Sequence, residues 1–108
     1  NYPLTIEKAR VLRGLEKTIA AEEILRDTLL RRNSDPSLWF LLSEIQKDNL
    51  NVAGYHQSRA EYFILLGQRE RALNELQFAL KLSQGNFQTF EIIMTKINNL
   101  REKLNKRI

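Results

Sequence analysis

Apolar residues recur along this chain at steps of three and four, the spacing that puts them on one face of an α-helix. The clearest runs are Ala21, Ile24, Leu25, Leu29 and Leu30, and then Ala72, Leu73, Leu76, Ala79, Leu80 and Leu82. Short polar breaks separate such runs. The pattern predicts six helices, over about 5–16, 18–32, 36–49, 52–66, 69–83 and 86–106. Thr5 is placed to cap the first. Ser34-Asp35-Pro36 stops one helix and starts the next, because Asp or Ser caps and Pro suits a first turn. Asn49 to Asn51 with Gly54 form a looser break. Gly67 and Gly85 each stand where a left-handed residue can end a helix. No stretch alternates with period two over the length of a strand, so the predicted fold class is all-α. Short breaks imply that neighbouring helices run antiparallel.

The pattern also repeats. Shifting the chain by 51 residues brings Ala9 onto Ala60, Leu15 onto Leu66, Ala21 onto Ala72, Leu25 onto Leu76 and Leu29 onto Leu80. Small residues meet small ones, and large apolar residues meet large ones. Small residues such as Ala60 and Ala72, one on each helix of a hairpin, let two backbones approach closely. This spacing resembles the tetratricopeptide repeat, a helix-turn-helix unit of about 34 residues. Residues 53–86 fit best, through Ala60, Phe63, Gly67, Ala72, Leu76 and Ala79. Residues 2–35 fit more loosely, through Ala9, Leu12, Ala21, Leu25 and Thr28, and residues 86–106 read as a capping helix. The pattern is broken at His56 and Thr5, where an aromatic is usual, at Arg59 and Lys8, where Leu is usual, and at Gln84, which replaces a closing Pro.

A shift of 51 is one repeat plus one further helix. The helix over 36–49 therefore reads as an extra element between two recognisable units. The expected architecture is a single domain, a right-handed tetratricopeptide-like solenoid of six antiparallel helices with a phase break after the third. Because the pattern begins abruptly at Asn1-Tyr2-Pro3, a fragment of a longer protein is expected.

Composition narrows the chemistry. The 108 residues include no Cys and one His, His56, so thiolate chemistry and a His-rich metal site are excluded within this sequence. Adjacent carboxylates such as Glu22 and Glu23 point in different directions on a helix, the four glycines are scattered, and no serine sits in a nucleophile motif. No apolar run reaches the roughly 20 residues that span a bilayer. The net charge of +4 resides in residues 94–108, at the end of the chain, where Lys96, Arg101, Lys103, Lys106 and Arg107 stand against one acid, Glu102. A nucleic-acid surface is more often a basic face of the whole domain.

Binding residues are the remaining candidates. Arg10 and Arg13 share a helix face and offer planar donors for a carboxylate, unless Glu7 simply pairs with Arg10. Phe40 points about 100° away from Trp39, so with Trp39 inward Phe40 is the contact residue. Glu44, Gln57 and Glu61 complete the expected groove. Arg59 either serves as a ligand in the phase-break pocket or ties helices together. In the last helix Phe90, Ile93, Ile97, Leu100 and Leu104 step by three and four, a seam that either caps the solenoid or, with Ile108, pairs with another molecule.

Trp39-Phe40-Leu41-Leu42, then Ser58-Arg59-Ala60-Glu61-Tyr62 and Gly67-Gln68-Arg69 with Ala72, ahead of a long last helix, resemble the C-terminal tetratricopeptide domain of BepA/YfgC-type periplasmic zinc metalloproteases. The resemblance implies a zinc-bearing catalytic domain upstream and no cofactor in this one. It implies a periplasmic setting, and docking onto the outer-membrane assembly machinery or unfolded outer-membrane proteins. The function expected on this reading is a protein-protein interaction scaffold that does no chemistry itself. The alternatives are a basic helical module that binds nucleic acid through residues 101–108, and a free-standing adaptor or oligomerisation domain.

Overall fold

A computed structural model describes residues 2–106. They form six helices: α1 (Tyr2–Gly14), α2 (Thr18–Leu29), α3 (Pro36–Asp48), α4 (Val52–Leu65), α5 (Arg69–Leu82) and α6 (Phe87–Asn105). Among the described residues there is no strand. Helix starts fall at residues 2, 18, 36, 52, 69 and 87, so each follows the last by 16–18 residues. Each helix packs chiefly on its neighbours in the chain, within overall dimensions of 46 × 29 × 19 Å. Arg107 and Ile108, which belong to the basic tail and the terminal apolar seam, lie outside the described residues.

The caps explain most of these boundaries. Asp35 accepts from the Ser37 amide at 2.9 Å with Pro36 at the first helical position, as expected for the start of α3. Asn51 and Asn86 cap α4 and α6 by accepting from Gly54 and Thr89, each at 3.1 Å. Thr5 does not start the first helix: α1 already begins at Tyr2, because Pro3 in its first turn fits a helix start and leaves Thr5 inside the helix. Gly85 also departs from expectation. Among the glycines only Gly67 is left-handed, at φ 76°. After α5 the chain turns instead through the Ser83 hydroxyl bonded to the Ala79 carbonyl at 2.7 Å and the Asn86 amide bonded to the Ser83 carbonyl at 3.0 Å.

Two turns use the left-handed conformation without glycine. Glu16 (φ 62°) follows α1 and Leu50 (φ 59°) follows α3. At both, as at Gly67, the next residue's amide reaches back to a carbonyl of the last helical turn: Lys17 to Leu12, Asn51 to Gln46 and Gln68 to Phe63, at 2.8–2.9 Å. This closure satisfies the orphan carbonyls of the helix end.

The apolar core has two parts. Ala9, Ala21, Leu25, Leu29, Leu38, Leu42 and Ile45 join α1, α2 and α3. Ala60, Phe63, Ala72, Leu76, Ala79, Ile93, Ile97 and Leu100 join α4, α5 and α6. Alanines at Ala9, Ala21, Ala60 and Ala72 are all fully buried, which is what close backbone approach at those positions requires. The α6 seam faces inward at Ile93, Ile97 and Leu100. Open apolar surface lies on α1 and just after it, at Leu4, Val11 and Leu15, and on α6 at Phe87 and Ile92.

Between α3 and α4 the interior is polar. Gln46 and Ser58 are buried there, with Ser58 Oγ donating to Gln46 Oε1 at 2.6 Å. Buried Glu22 of α2 accepts from Asn49 Nδ2 at 2.9 Å, Asn51 Nδ2 at 3.3 Å and Arg26 at 3.2 Å. That carboxylate holds α2 against the turn that joins α3 to α4. Gly54 is required for the fit: a Cβ there would lie 2.7 Å from Gln46 Nε2 and 2.5 Å from Asn51 Nδ2.

Candidate protein-docking grooves

α3 presents different side chains to its two flanks, and a groove runs along each. Successive residues on a helix are about 100° apart, so Trp39 and Phe40 cannot share a flank. Phe40 is 43% exposed, whereas Trp39 is half-buried and donates its Nε1–H to the Asn33 carbonyl at 2.8 Å. Phe40 is the more open of the two, as the sequence leads one to expect.

The first groove encloses about 800 Å³ and is bordered by Arg10 and Arg13 of α1, Phe40, Leu41, Glu44 and Asp48 of α3, and Tyr62 of α4. Arg13 Nε bonds Asp48 Oδ2 at 2.7 Å, tying α1 to the end of α3. Phe40 and Tyr62 meet with ring centroids 5.4 Å apart, tilted at 53°, and form an apolar wall. Arg10 is exposed and makes no ion pair or hydrogen bond among the described residues, with Glu7 or with any other. Its guanidinium is therefore available to a ligand, while that of Arg13 is already engaged.

The second groove lies on the other flank of α3. It encloses about 380 Å³ among α2, α3, α4 and α6, with Leu29, Leu30, Trp39, Leu42, Gln46, Gln57 and Glu61 among its borders. Lys96 of α6 reaches back to Glu61 at 2.8 Å across one end. The six residues expected to line one groove are thus divided. Arg10, Arg13, Phe40 and Glu44 come together, and Gln57 and Glu61 stand on the opposite side of α3. Sequence reasoning did not find Tyr62, Asp48, Leu30 or Lys96. Only the packing of helices distant in sequence brings them to the grooves.

A third group sits on the α4–α5 rim. His56 and Arg59 both engage Glu75, Arg59 Nε at 3.0 Å, and the His56 ring stacks on Phe78 at 5.1 Å. Arg59 Cζ also lies 5.4 Å from the Tyr55 ring centroid and 5.2 Å from that of Phe63. Burial disfavours the charged form of Arg59. The hydrogen bond to Glu75 and the charges of Tyr55, Glu75 and Glu44 outweigh it, so its pKa rises above the ordinary value. Of the two roles open to Arg59, the contacts are those of a tie between helices. His56 has a carboxylate and a ring as partners, a pairing its position in the sequence does not reveal.

Among the described residues no three or more His, Asp or Glu side chains gather as a metal site. No described helix is long and apolar enough to cross a membrane. The chain matches no family model and no curated protein.

Proposed function

We propose that this chain is a protein-docking scaffold, a tetratricopeptide-like right-handed solenoid of antiparallel helices. Supporting the architecture, helices recur every 16–18 residues and pack on their chain neighbours. Left-handed turns at Glu16 and Leu50 stand 34 residues apart, and Leu50 and Gly67 stand 17 apart, a whole and a half repeat. Contacts of Arg71 with Phe63, of Glu75 with Arg59 and of Phe78 with His56 run in opposite directions along α4 and α5. The phase change belongs at the polar seam between α3 and α4.

The observation that carries the docking reading is the groove beside Phe40. An exposed aromatic edge stands there beside an unengaged guanidinium, on elements held rigid by packing. Such a surface accepts an extended or helical segment offering an apolar side chain and a carboxylate, with little ordering of the scaffold on binding. In the setting the sequence resemblance implies, the domain is the docking arm of a periplasmic zinc metalloprotease. Its partners there are the outer-membrane assembly machinery or unfolded outer-membrane proteins.

The test is capture of an unfolded outer-membrane β-barrel protein, diluted from urea, by the immobilised chain. Arg10→Ala with Phe40→Ala is expected to weaken capture by at least about tenfold, as for two central interface residues. The melting temperature should stay nearly unchanged. Undiminished capture, or a large fall in melting temperature, overturns the reading.

A further inference from the structure

The outer face of α1 carries a stripe of apolar residues that stands open. Leu4, Val11 and Leu15 are 67%, 53% and 62% exposed. Steps of seven and four align them, on the side of α1 opposite the fully buried Ala9. The Leu15 amide donates to the Val11 carbonyl, so Leu15 continues the stripe just past the end of the helix. Glu7 and Lys8 stand on the same stripe between Leu4 and Val11. Both are exposed, and neither side chain makes an ion pair or hydrogen bond among the described residues.

The internal repeat supplies the second observation. The shift of 51 residues sets Glu7 and Val11 on Ser58 and Tyr62 of α4. On α4 that face is covered by α3: Ser58 meets Gln46 at 2.6 Å, and the Tyr62 ring meets that of Phe40 at 5.4 Å. The contacts step backwards along α3 as they step forwards along α4, so the covering helix is antiparallel. The equivalent face of α1 is bare.

The order of residues on the stripe selects the helix that fits it. Leu4 lies three residues before Glu7, and Val11 lies three after Lys8, so the stripe is symmetric about the point between Glu7 and Lys8. Turned end for end, it complements itself. Apolar positions meet apolar positions, and each unpaired carboxylate meets an unpaired ammonium. Such self-complementarity is what a twofold interface between identical chains requires.

We infer that α1 pairs antiparallel with α1 of a second copy of this chain, Leu4 against Val11 and Glu7 against Lys8, each contact made twice. Leu15 adds apolar surface beyond each end. Arg10 projects about 100° away from Val11, so the groove beside Phe40 stays open and the dimer carries two of them. The inference does not rest on the docking reading. An interface of one helix from each copy is small, so the dimer is weak, with a Kd on the order of 10–100 μM.

The experiment is sedimentation equilibrium of the full chain from about 5 to 500 μM, a range that brackets that Kd. A monomer–dimer equilibrium is expected. Lys8→Glu and Glu7→Lys each set like charges opposite one another, and each should weaken self-association by at least about tenfold. Both positions are exposed, so the melting temperature of the dilute chain should not change. Mixed in equal amounts, the two variants should associate with each other as strongly as the unaltered chain does with itself, because each offers the charge the other lacks. A chain that stays monomeric at about 500 μM overturns the inference. So does self-association that neither variant weakens, which would assign the contact to another surface. Variants that are each weakened but do not pair when mixed overturn the antiparallel register. Capture through the groove beside Phe40 is a separate measurement, and the docking reading stands or falls without these results.

Discussion

α4 packs against a helix on each side, and the two sides are made of different chemistry. Toward α5 it places Ala60 and Phe63 against Ala72, Leu76 and Ala79. Toward α3 it places Gly54 and Ser58 against Gln46, with a hydrogen bond in the middle and no room for a methyl group. Apolar burial stabilises in proportion to area and tolerates small shifts. A buried hydrogen bond contributes little net, but it is costly to leave unmade, so it penalises displacement. The α5 side therefore supplies most of the stability, and the α3 side fixes position. That division suits the docking scaffold we propose, whose grooves depend on where α3 stands relative to α4.

The comparison is sharpest in the size and sign of single substitutions. Leu76 is fully buried on the α5 side. Leu76→Ala is expected to lose about 3 kcal/mol by urea denaturation, the usual loss for a buried leucine that leaves a cavity. A loss below about 1 kcal/mol would mean that the α4–α5 core collapses freely around the gap, and the apolar side would no longer stand out as the stabilising one.

Gly54→Ala probes the other side. In an unconstrained helix interior the change gains about 1 kcal/mol. Here the new methyl would strike the Gln46 and Asn51 amides, breaking the α4 cap or the Ser58 bond. The expected outcome is a loss of about 1–3 kcal/mol, the range for overpacking. Gly14→Ala is the matched control, since nothing lies within 4 Å of its added Cβ, and it should be neutral or stabilising. If both variants gained stability, the seam would be soft and the positional role of the polar side would fall.

How much of this was legible in the sequence follows from the range of the interactions. Helix existence and most boundaries are local, written in spacing, in Asp35-Pro36 and in Gly67, and the six helices begin and end within about three residues of where those signals stand. Thr5 misled because a good capping residue is also tolerated inside a helix, and Pro3 already supplied a start. Gly85 misled because glycine permits the left-handed conformation without requiring it. The seam was invisible for a different reason. Gln46 and Ser58 are twelve residues apart on separate helices, and Glu22 reaches its asparagine partners from a third. Each looks like an ordinary surface residue until the helices pack. The same applies to the grooves: Arg10 and Phe40 were readable as candidates from their own helices, but their separation from Gln57 and Glu61 by α3 depends on packing between helices.

The smallest expected effect concerns the turn that joins the two sides. Leu50 holds φ 59° just after α3, with its side chain 84% exposed. A residue with a Cβ pays roughly 1–2 kcal/mol for that conformation, and glycine does not. Glycine gives back about 0.5–1 kcal/mol through greater freedom in the unfolded chain. Leu50→Gly should therefore gain roughly 0.5 kcal/mol in urea denaturation, with an unchanged slope. Gly67→Ala, the reciprocal change at the turn after α4, where φ is 76°, should lose a comparable amount. The pair tests whether the two turns are equivalent stops. A gain at Leu50 matched by a loss at Gly67 means that the turn into the polar seam is held by its hydrogen bonds, Asn51 to Gln46 and Asn51 to Glu22, against local strain. A loss at Leu50 would show instead that its side chain stabilises the turn despite its exposure, and the seam would then depend on apolar packing after all.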